Sequence, residues 1–304
     1  MKTTIPIFFA INEEYIDHCC TSIVSILENN RSLNISIHIL TDCISLESKE
    51  LLQEIENVFT CVTIQWEIID SESFKQLKKK EGYITEHALY RYAIADLFPN
   101  LDKALYLDAD LVINGSIEPL WELDLEGYYC AGVDDIFIRR INYRKILELT
   151  EKDVYINAGV LLLNLKDLRK DKIQEKLLQH TSIYINRDRY QDQDAINCIC
   201  KGKIKLIPNI YNFTTSETLH TPEMLSGIII IHYTGSIKPW HQEYPWQVLK
   251  ELYCKYNSSM DKIKDRLLSR WMERTIELFQ LSQKTNDTEL EEGADKLLNK
   301  IIDH

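Results

Sequence analysis

Over the first 69 residues, short apolar runs alternate with segments of helical periodicity, and few folds accept that alternation. Residues 6–11 form an apolar run that reads as a buried strand. A polar link through Asn12, Glu13, Glu14 and Tyr15 leads into an apolar-periodic helix over about 19–28. Residues 35–40 alternate as a second strand. Residues 45–58 read as a helix with Leu51, Leu52 and Ile55 on one face, and 62–69 as a third strand. This β-α-β-α-β order implies an α/β domain with a Rossmann-like first half. The sequence holds no Gly-x-Gly-x-x-Gly and no Walker A pattern, so dinucleotide and P-loop classes are disfavoured.

The stretch 103–111, Lys-Ala-Leu-Tyr-Leu-Asp-Ala-Asp-Leu, carries the first chemistry. Ala104 to Leu107 read as a buried strand that ends on Asp108 and Asp110. If the strand persists, both carboxylates point the same way. Two close carboxylates repel, and a hard divalent cation, Mg2+ or Mn2+, is their natural partner. Asp-x-Asp alone is short and common, so the rest of the chain must supply the weight.

The chain has 304 residues, 45% of them apolar, which is enough for one large domain with an extension. A net charge of -12 disfavours nucleic-acid binding, although Arg139, Arg140, Arg144 and Lys145 form a local basic patch. The eight cysteines include no Cys-x-x-Cys pair and read mostly as reduced core thiols of a cytoplasmic protein. No run is long enough to span a bilayer, and the first apolar run reads as a strand rather than a signal peptide.

Residues 86–98 have helical spacing and carry Arg91, which on its own reads as a solvated helix charge. An apolar run over 128–133 ends in Asp134 and Asp135, and 136–150 read as a polar helical flap. Asn157 stands at the entrance of a strand so apolar that it must be central, and a polar side chain there needs a partner. Residues 165–183 read as a helix. Asp192 and Asp194 open the next helix, where capping is the ordinary role. A last strand over 227–231 runs into His232, followed by Gly235, Lys238 and the stiff Pro239-Trp240 pair. From 247 onward strand signals stop. Residues 247–256, 260–283 and 287–302 read as three amphipathic helices, with a domain boundary near 247. Packing on the same protein or on a second copy, as a homodimer, is favoured for this tail over a peripheral membrane contact.

Together these residues resemble glycosyltransferase family 8. The likeness rests on Phe9-Ala10 with Asn12 and Tyr15, Tyr90-Arg91, Leu105 to Asp110, Asn157-Ala158-Gly159-Val160, Asp192-Gln193-Asp194, and His232-Tyr233-Thr234-Gly235 through Lys238-Pro239-Trp240. The resemblance implies a GT-A fold over residues 1–246 with a mixed central sheet, and a helical extension over 247–304. It implies a retaining transferase that moves glucose or galactose from a UDP-sugar to a glycan or glycolipid acceptor, in lipopolysaccharide or other surface-glycan synthesis. By the same likeness, Asp108, Asp110 and His232 bind Mn2+ or Mg2+. Ala10, Asn12 and Tyr15 line the uracil and ribose site, and Ala109 sits within the metal motif. Arg91, Asn157, Ala158, Asp192 and Gln193 contact the donor sugar, and Gly235 and Lys238 the diphosphate. Asp134 or Asp135 faces the acceptor. Bacterial members often carry Asp where this chain has Asn12, and Asn retains hydrogen-bonding capacity.

Retention requires a protein nucleophile on the far face or attack from the leaving-group face. Gln193 is the family's candidate on the far face, but an amide is a poor nucleophile, and Asp192 is the weaker alternative for a covalent role. Same-face attack is favoured. A haloacid-dehalogenase-type phosphatase is disfavoured because Leu111-Val112-Ile113 follow the aspartates. A catalytically degenerate nucleotide-sugar-binding scaffold is the non-enzymatic alternative.

Overall fold

The computed structural model describes residues 4–77, 86–215, 223, 225–285 and 287–303. Its first half follows the alternation of the sequence. Strand β1 (Thr4–Ala10) leads to helix α1 (Ile16–Asn29), β2 (Asn34–Thr41), α2 (Leu46–Val58) and β3 (Val62–Ile68). Ser45 caps α2 by accepting the Ser48 N–H at 3.0 Å. Then come β4 (Lys103–Leu107), β5 (Leu111–Ile113), β6 (Cys130–Gly132) and β7 (Val160–Asn164). Helices α3 (Ile173–Tyr184) and α4 (Gln191–Ile199) precede β8 (Ile204–Leu206), β9 (Phe213–Thr214) and β10 (Ile230–His232). The chain ends in α5 (Gln247–Thr285) and α6 (Thr288–Asp303).

Seven strands form a mixed sheet in the order β3-β2-β1-β4-β7-β6-β8, and β5-β10-β9 form a smaller one. β1 lies between parallel neighbours β2 and β4, while β7 runs antiparallel to β4. The chain leaves β1 toward β2 and later returns to its other side as β4. This reversal of strand order opens a crevice at the carboxyl ends of β1 and β4, the usual ligand position in open α/β sheets. Ile7, Phe9, Leu105, Leu107 and Leu162 face one apolar cluster; Phe8, Tyr106, Leu161 and Leu163 face the other. Both faces of the sheet are covered, which explains why β4 is apolar over 104–107 and β7 over 160–163.

Several expected elements differ. Residues 86–98 form a 3-10 segment, Glu86–Ala93, and a short helix, Ile94–Leu97. The helix expected over 165–183 is split into Leu165–Lys170 and α3, with Lys172 left-handed at φ 52°. The last strand begins later than expected, at Ile230. The helices expected over 247–256 and 260–283 are one helix of 39 residues, about 58 Å long. Asn257, Ser258 and Ser259 have weak helix propensity, but the stripe Tyr256, Met260, Ile263, Leu267 and Trp271 is buried at helical spacing, and packing overrides propensity. That stripe spans two apolar clusters, with Met260, Ile263, Leu267 and Trp271 packed on α1 and α2. Buried Glu54 of α2 pairs with Arg270 of α5. Asn286, in the expected break before the last helix, lies outside the described residues. Cys19, Cys20, Cys130 and Cys200 are buried core thiols, whereas Cys43 and Cys254 are exposed. Among the described residues no helix is long and apolar enough to cross a membrane.

Candidate active site

A cleft of about 670 Å³ opens at the crevice beside β1 and β4. Its floor is the corner where the chain passes from the large sheet to the small one. β4 ends at Leu107 and β5 starts at Leu111, so Asp108-Ala109-Asp110 are the crossover. The strand does not persist through Asp108 and Asp110, so the crossover rather than strand alternation brings the two carboxylates together. The corner is pinned from both sides. The Asp108 N–H donates to the Gly159 carbonyl at 2.8 Å, and the Tyr233 N–H to the Asp110 carbonyl at 2.9 Å. From α1, the Ser22 hydroxyl reaches the carbonyls of Ala109 and Leu111 at 2.7 and 2.6 Å.

β10 pairs antiparallel with β5, setting His232 opposite Leu111 and beside the corner. The His232 Nε2 lies 3.3 Å from Asp110 Oδ1 and 3.7 Å from Asp108 Oδ2. Among the described residues, Asp108, Asp110 and His232 form the group whose donor atoms all lie within 4.8 Å of one another. A small divalent cation about 2.1 Å from each donor needs spacings up to about 4.2 Å. The two His232 spacings fall within that range, and two carboxylates with an imidazole are a donor set that such an ion takes.

Two buried cations flank the floor. Arg91 is 8% exposed, against its reading as a solvated charge. It donates to Asp108 Oδ1 at 2.9 Å and to the Ala158 carbonyl at 2.6 Å, lies 3.3 Å from Asp192 Oδ2, and stacks over Tyr106. Burial opposes its charge, but Asp108 and Asp192 hold its pKa above the ordinary value. Lys238 donates to Asp110 Oδ2 and to the Tyr233 carbonyl. Burial disfavours ionised Asp110, yet Lys238 and His232 outweigh it and hold the carboxyl well below the usual range.

Ala10, Asn12, Tyr15, Ala109, Gly235 and Lys238 line the cleft. Asn157, Ala158, Asp192, Gln193 and Asp135 line it as well. Gln193 Oε1 accepts the Ala158 N–H at 3.0 Å while its Nε2 donates to Asp135 Oδ2 at 3.1 Å, which fixes the amide. Asp194 is fully buried and accepts from the hydroxyls of Tyr143 and Tyr155 and from the Tyr190 N–H, so it ties the flap segment to α4. Asp134 is not among the lining residues; it pairs with Arg139, and Asp135 alone of that acidic pair borders the cleft. Trp240 does not line the cleft either. It stacks on His18 with ring centres 3.6 Å apart, whereas Trp246, unmarked in the sequence, borders the opening.

Burial, the largest influence, raises the Asp192 pKa to about 6; Arg91 pulls it down and Asp108 pushes it up. The folded chain thus holds this proton more tightly than an unfolded aspartate near 3.8. The resulting stability is full below that unfolded value and lost as pH rises through about 6. Asp192→Asn is expected to raise the melting temperature at pH 7 and to lose that advantage by about pH 4. An equal difference at both pH values contradicts the shift.

Gly159 and Asn212 escaped the sequence reading as site residues. A Cβ on Gly159 would lie 2.1 Å from His232 Cε1 and 2.7 Å from Asp108 Oδ2. The signal for Gly159 was its place in the Asn-Ala-Gly run; for Asn212 there was none.

Comparison with known proteins agrees with this geometry. The family described as glycosyl transferase family 8 matches residues 6–244. A putative glycosyltransferase of Haemophilus influenzae is 32% identical over 272 residues, covering 87% of this chain and 80% of that one. A lipopolysaccharide 1,2-glucosyltransferase of Escherichia coli is 33% identical over 256 residues, covering 79% and 74%. The crystal structure of galactosyltransferase LgtC with donor and acceptor sugar analogues superposes with a TM-score of 0.74 at 25% identity, covering 84% of this chain and 96% of that one. The fold is thus GT-A, with a mixed α/β core followed by the C-terminal helices. The chain belongs to glycosyltransferase family 8.

Proposed function

We propose that this chain transfers a hexose, glucose or galactose, from a UDP-sugar to a hydroxyl of a glycan or glycolipid acceptor, with retention at the anomeric carbon, in lipopolysaccharide or other surface-glycan synthesis. The observation that carries the reading is the cluster of Asp108, Asp110 and His232 on the cleft floor, flanked by Lys238 and Arg91. The glucosyl- and galactosyltransferase relatives support the choice of sugars. Asp108, Asp110 and His232 hold Mn2+ or Mg2+, which supplies positive charge against the diphosphate. Residues 1–246 act as the catalytic domain and 247–304 as a helical extension, and the protein works in the cytoplasm at the inner membrane face.

Ala10, Asn12 and Tyr15 receive the uridine. Arg91, Asn157, Ala158, Asp192 and Gln193 orient the sugar, and Asp135 borders the acceptor. The bond from the anomeric carbon to the diphosphate breaks, the acceptor oxygen bonds to the same face of that carbon, and the acceptor proton passes to a diphosphate oxygen. Gln193, already fixed by the Ala158 N–H and Asp135, holds the far face rather than attacking. Lys238, with Gly235 beside it in left-handed geometry at φ +90°, bonds the leaving diphosphate. Lys238→Gln is expected to lower kcat by about 100- to 1000-fold with the fold retained. A loss below tenfold removes Lys238 from that role.

The test is UDP release from a panel of UDP-sugars with Mn2+, with Mg2+ and with EDTA. Metal-dependent turnover of one UDP-hexose supports the reading and names the sugar. Tight binding of a UDP-sugar with no turnover on any glycan acceptor favours a scaffold, and no binding with metal present overturns the reading.

A further inference from the structure

His232 reaches the cleft through one ring nitrogen and the core through the other. The core-facing Nδ1 lies 3.0 Å from Asn212 Oδ1, and Asn212 is 2% exposed. Asn212 Nδ2 donates in turn to Asn157 Oδ1 at 2.9 Å, and that same oxygen accepts the Gly159 N–H at 3.0 Å. The polarity of this chain follows from its far end. A backbone N–H can only donate, so the Asn157 atom facing Gly159 is its oxygen. The Asn212 atom facing that oxygen must then be its NH2, and the Asn212 atom facing His232 its carbonyl oxygen. A carbonyl oxygen can only accept, so His232 Nδ1 must carry the hydrogen, and a neutral ring is left with a bare lone pair on Nε2.

Nε2 is the nitrogen directed at Asp110 and Asp108. We propose that Asn212 is a positioning residue that holds His232 as the Nδ1–H tautomer, so that Nε2 is presented as a ligand to a divalent cation. The proposal rests on the metal reading of Asp108, Asp110 and His232. Asn212 reaches this place because it immediately precedes β9, which runs parallel to β10, with Thr214 opposite His232. Asn157, assigned above to the donor sugar, spends its oxygen inward and turns its Nδ2 toward Asp135 Oδ2 at 3.4 Å. It serves both sides: one end carries the relay, the other borders the cleft.

The experiment has two readouts other than turnover. Long-range 1H–15N spectra of histidine-labelled, metal-free protein with a neutral His232 ring report its tautomer, with the signals assigned by their loss in His232→Gln. The expected result is a protonated-type Nδ1 and an unprotonated-type Nε2; the Nε2–H tautomer overturns the proposal without any variant at Asn212. Mn2+ binding is then followed by electron paramagnetic resonance in the presence of saturating UDP. Asn212→Leu is expected to bind Mn2+ about 10- to 100-fold more weakly than the wild-type chain. A folded Asn212→Leu with wild-type Mn2+ affinity overturns the role of Asn212 while leaving the metal reading standing. A wild-type chain that binds no Mn2+ under these conditions overturns the metal reading, and the proposed role with it.

Discussion

Asp110→Asn is expected to lower metal-dependent transfer by about 1000-fold while the protein stays folded. Asp110 is held ionised by Lys238 in a half-buried corner, and its second oxygen faces the imidazole. Asparagine keeps the volume and one acceptor oxygen for Lys238, whose ammonium also retains the Tyr233 carbonyl. What it loses is the negative charge that a cation needs. The expected signature is an activity that is nearly absent and that EDTA no longer changes, with a near-UV spectrum like the wild type. Activity within tenfold of wild type removes Asp110 from the metal site.

Gly159→Ala is expected to lower activity by about 100-fold or more and to weaken metal binding in parallel. The added methyl would lie 2.1 Å from His232 Cε1 and 2.8 Å from His232 Nδ1, inside any permitted contact. His232 cannot swing away freely, because its ring is 4% exposed and its Nδ1 is engaged by Asn212. Asp108 Oδ2, at 2.7 Å, is pressed as well. The overpacking costs about 1–3 kcal/mol of stability. Gly115→Ala is the control: the added Cβ would have an Ile229 side-chain atom at 3.4 Å as its nearest neighbour, an ordinary contact, and neither residue lines the cleft. The comparison is made by Mn2+ titration and by melting temperature. Equal metal affinity in the two alanine variants contradicts the role given to Gly159.

The sequence disclosed the parts of this fold that depend on local pattern. β1, β2 and β3 and the helices between them were legible because each is a short segment whose apolar period matches its own structure. What was not legible depends on distant pairing. The convergence of Asp108 and Asp110 comes from the crossover between two sheets, and that crossover exists because β5 pairs with β10, more than a hundred residues later. Arg91 looked like a surface charge because its partners, Asp108, Ala158 and Asp192, come together only across the sheet. Asn212 is 20 residues from His232 and 55 from Asn157, so no local spacing marks it. The continuity of α5 is hidden in the sequence for the opposite reason: its weak local propensity over 257–259 is overcome by the stripe packed below it. Asp134 and Asp135 are adjacent in sequence but take different environments, one against Arg139 and one against Gln193.

Calorimetric titration of UDP into the protein, with Mn2+ and with EDTA, bears most directly on the metal-centred account. A diphosphate held through Asp108, Asp110 and His232 requires the cation, so UDP is expected to bind at least tenfold more tightly with Mn2+, and Asp110→Asn is expected to erase that difference. Equal UDP affinity with and without Mn2+, or a metal enhancement that survives in Asp110→Asn, would contradict the account.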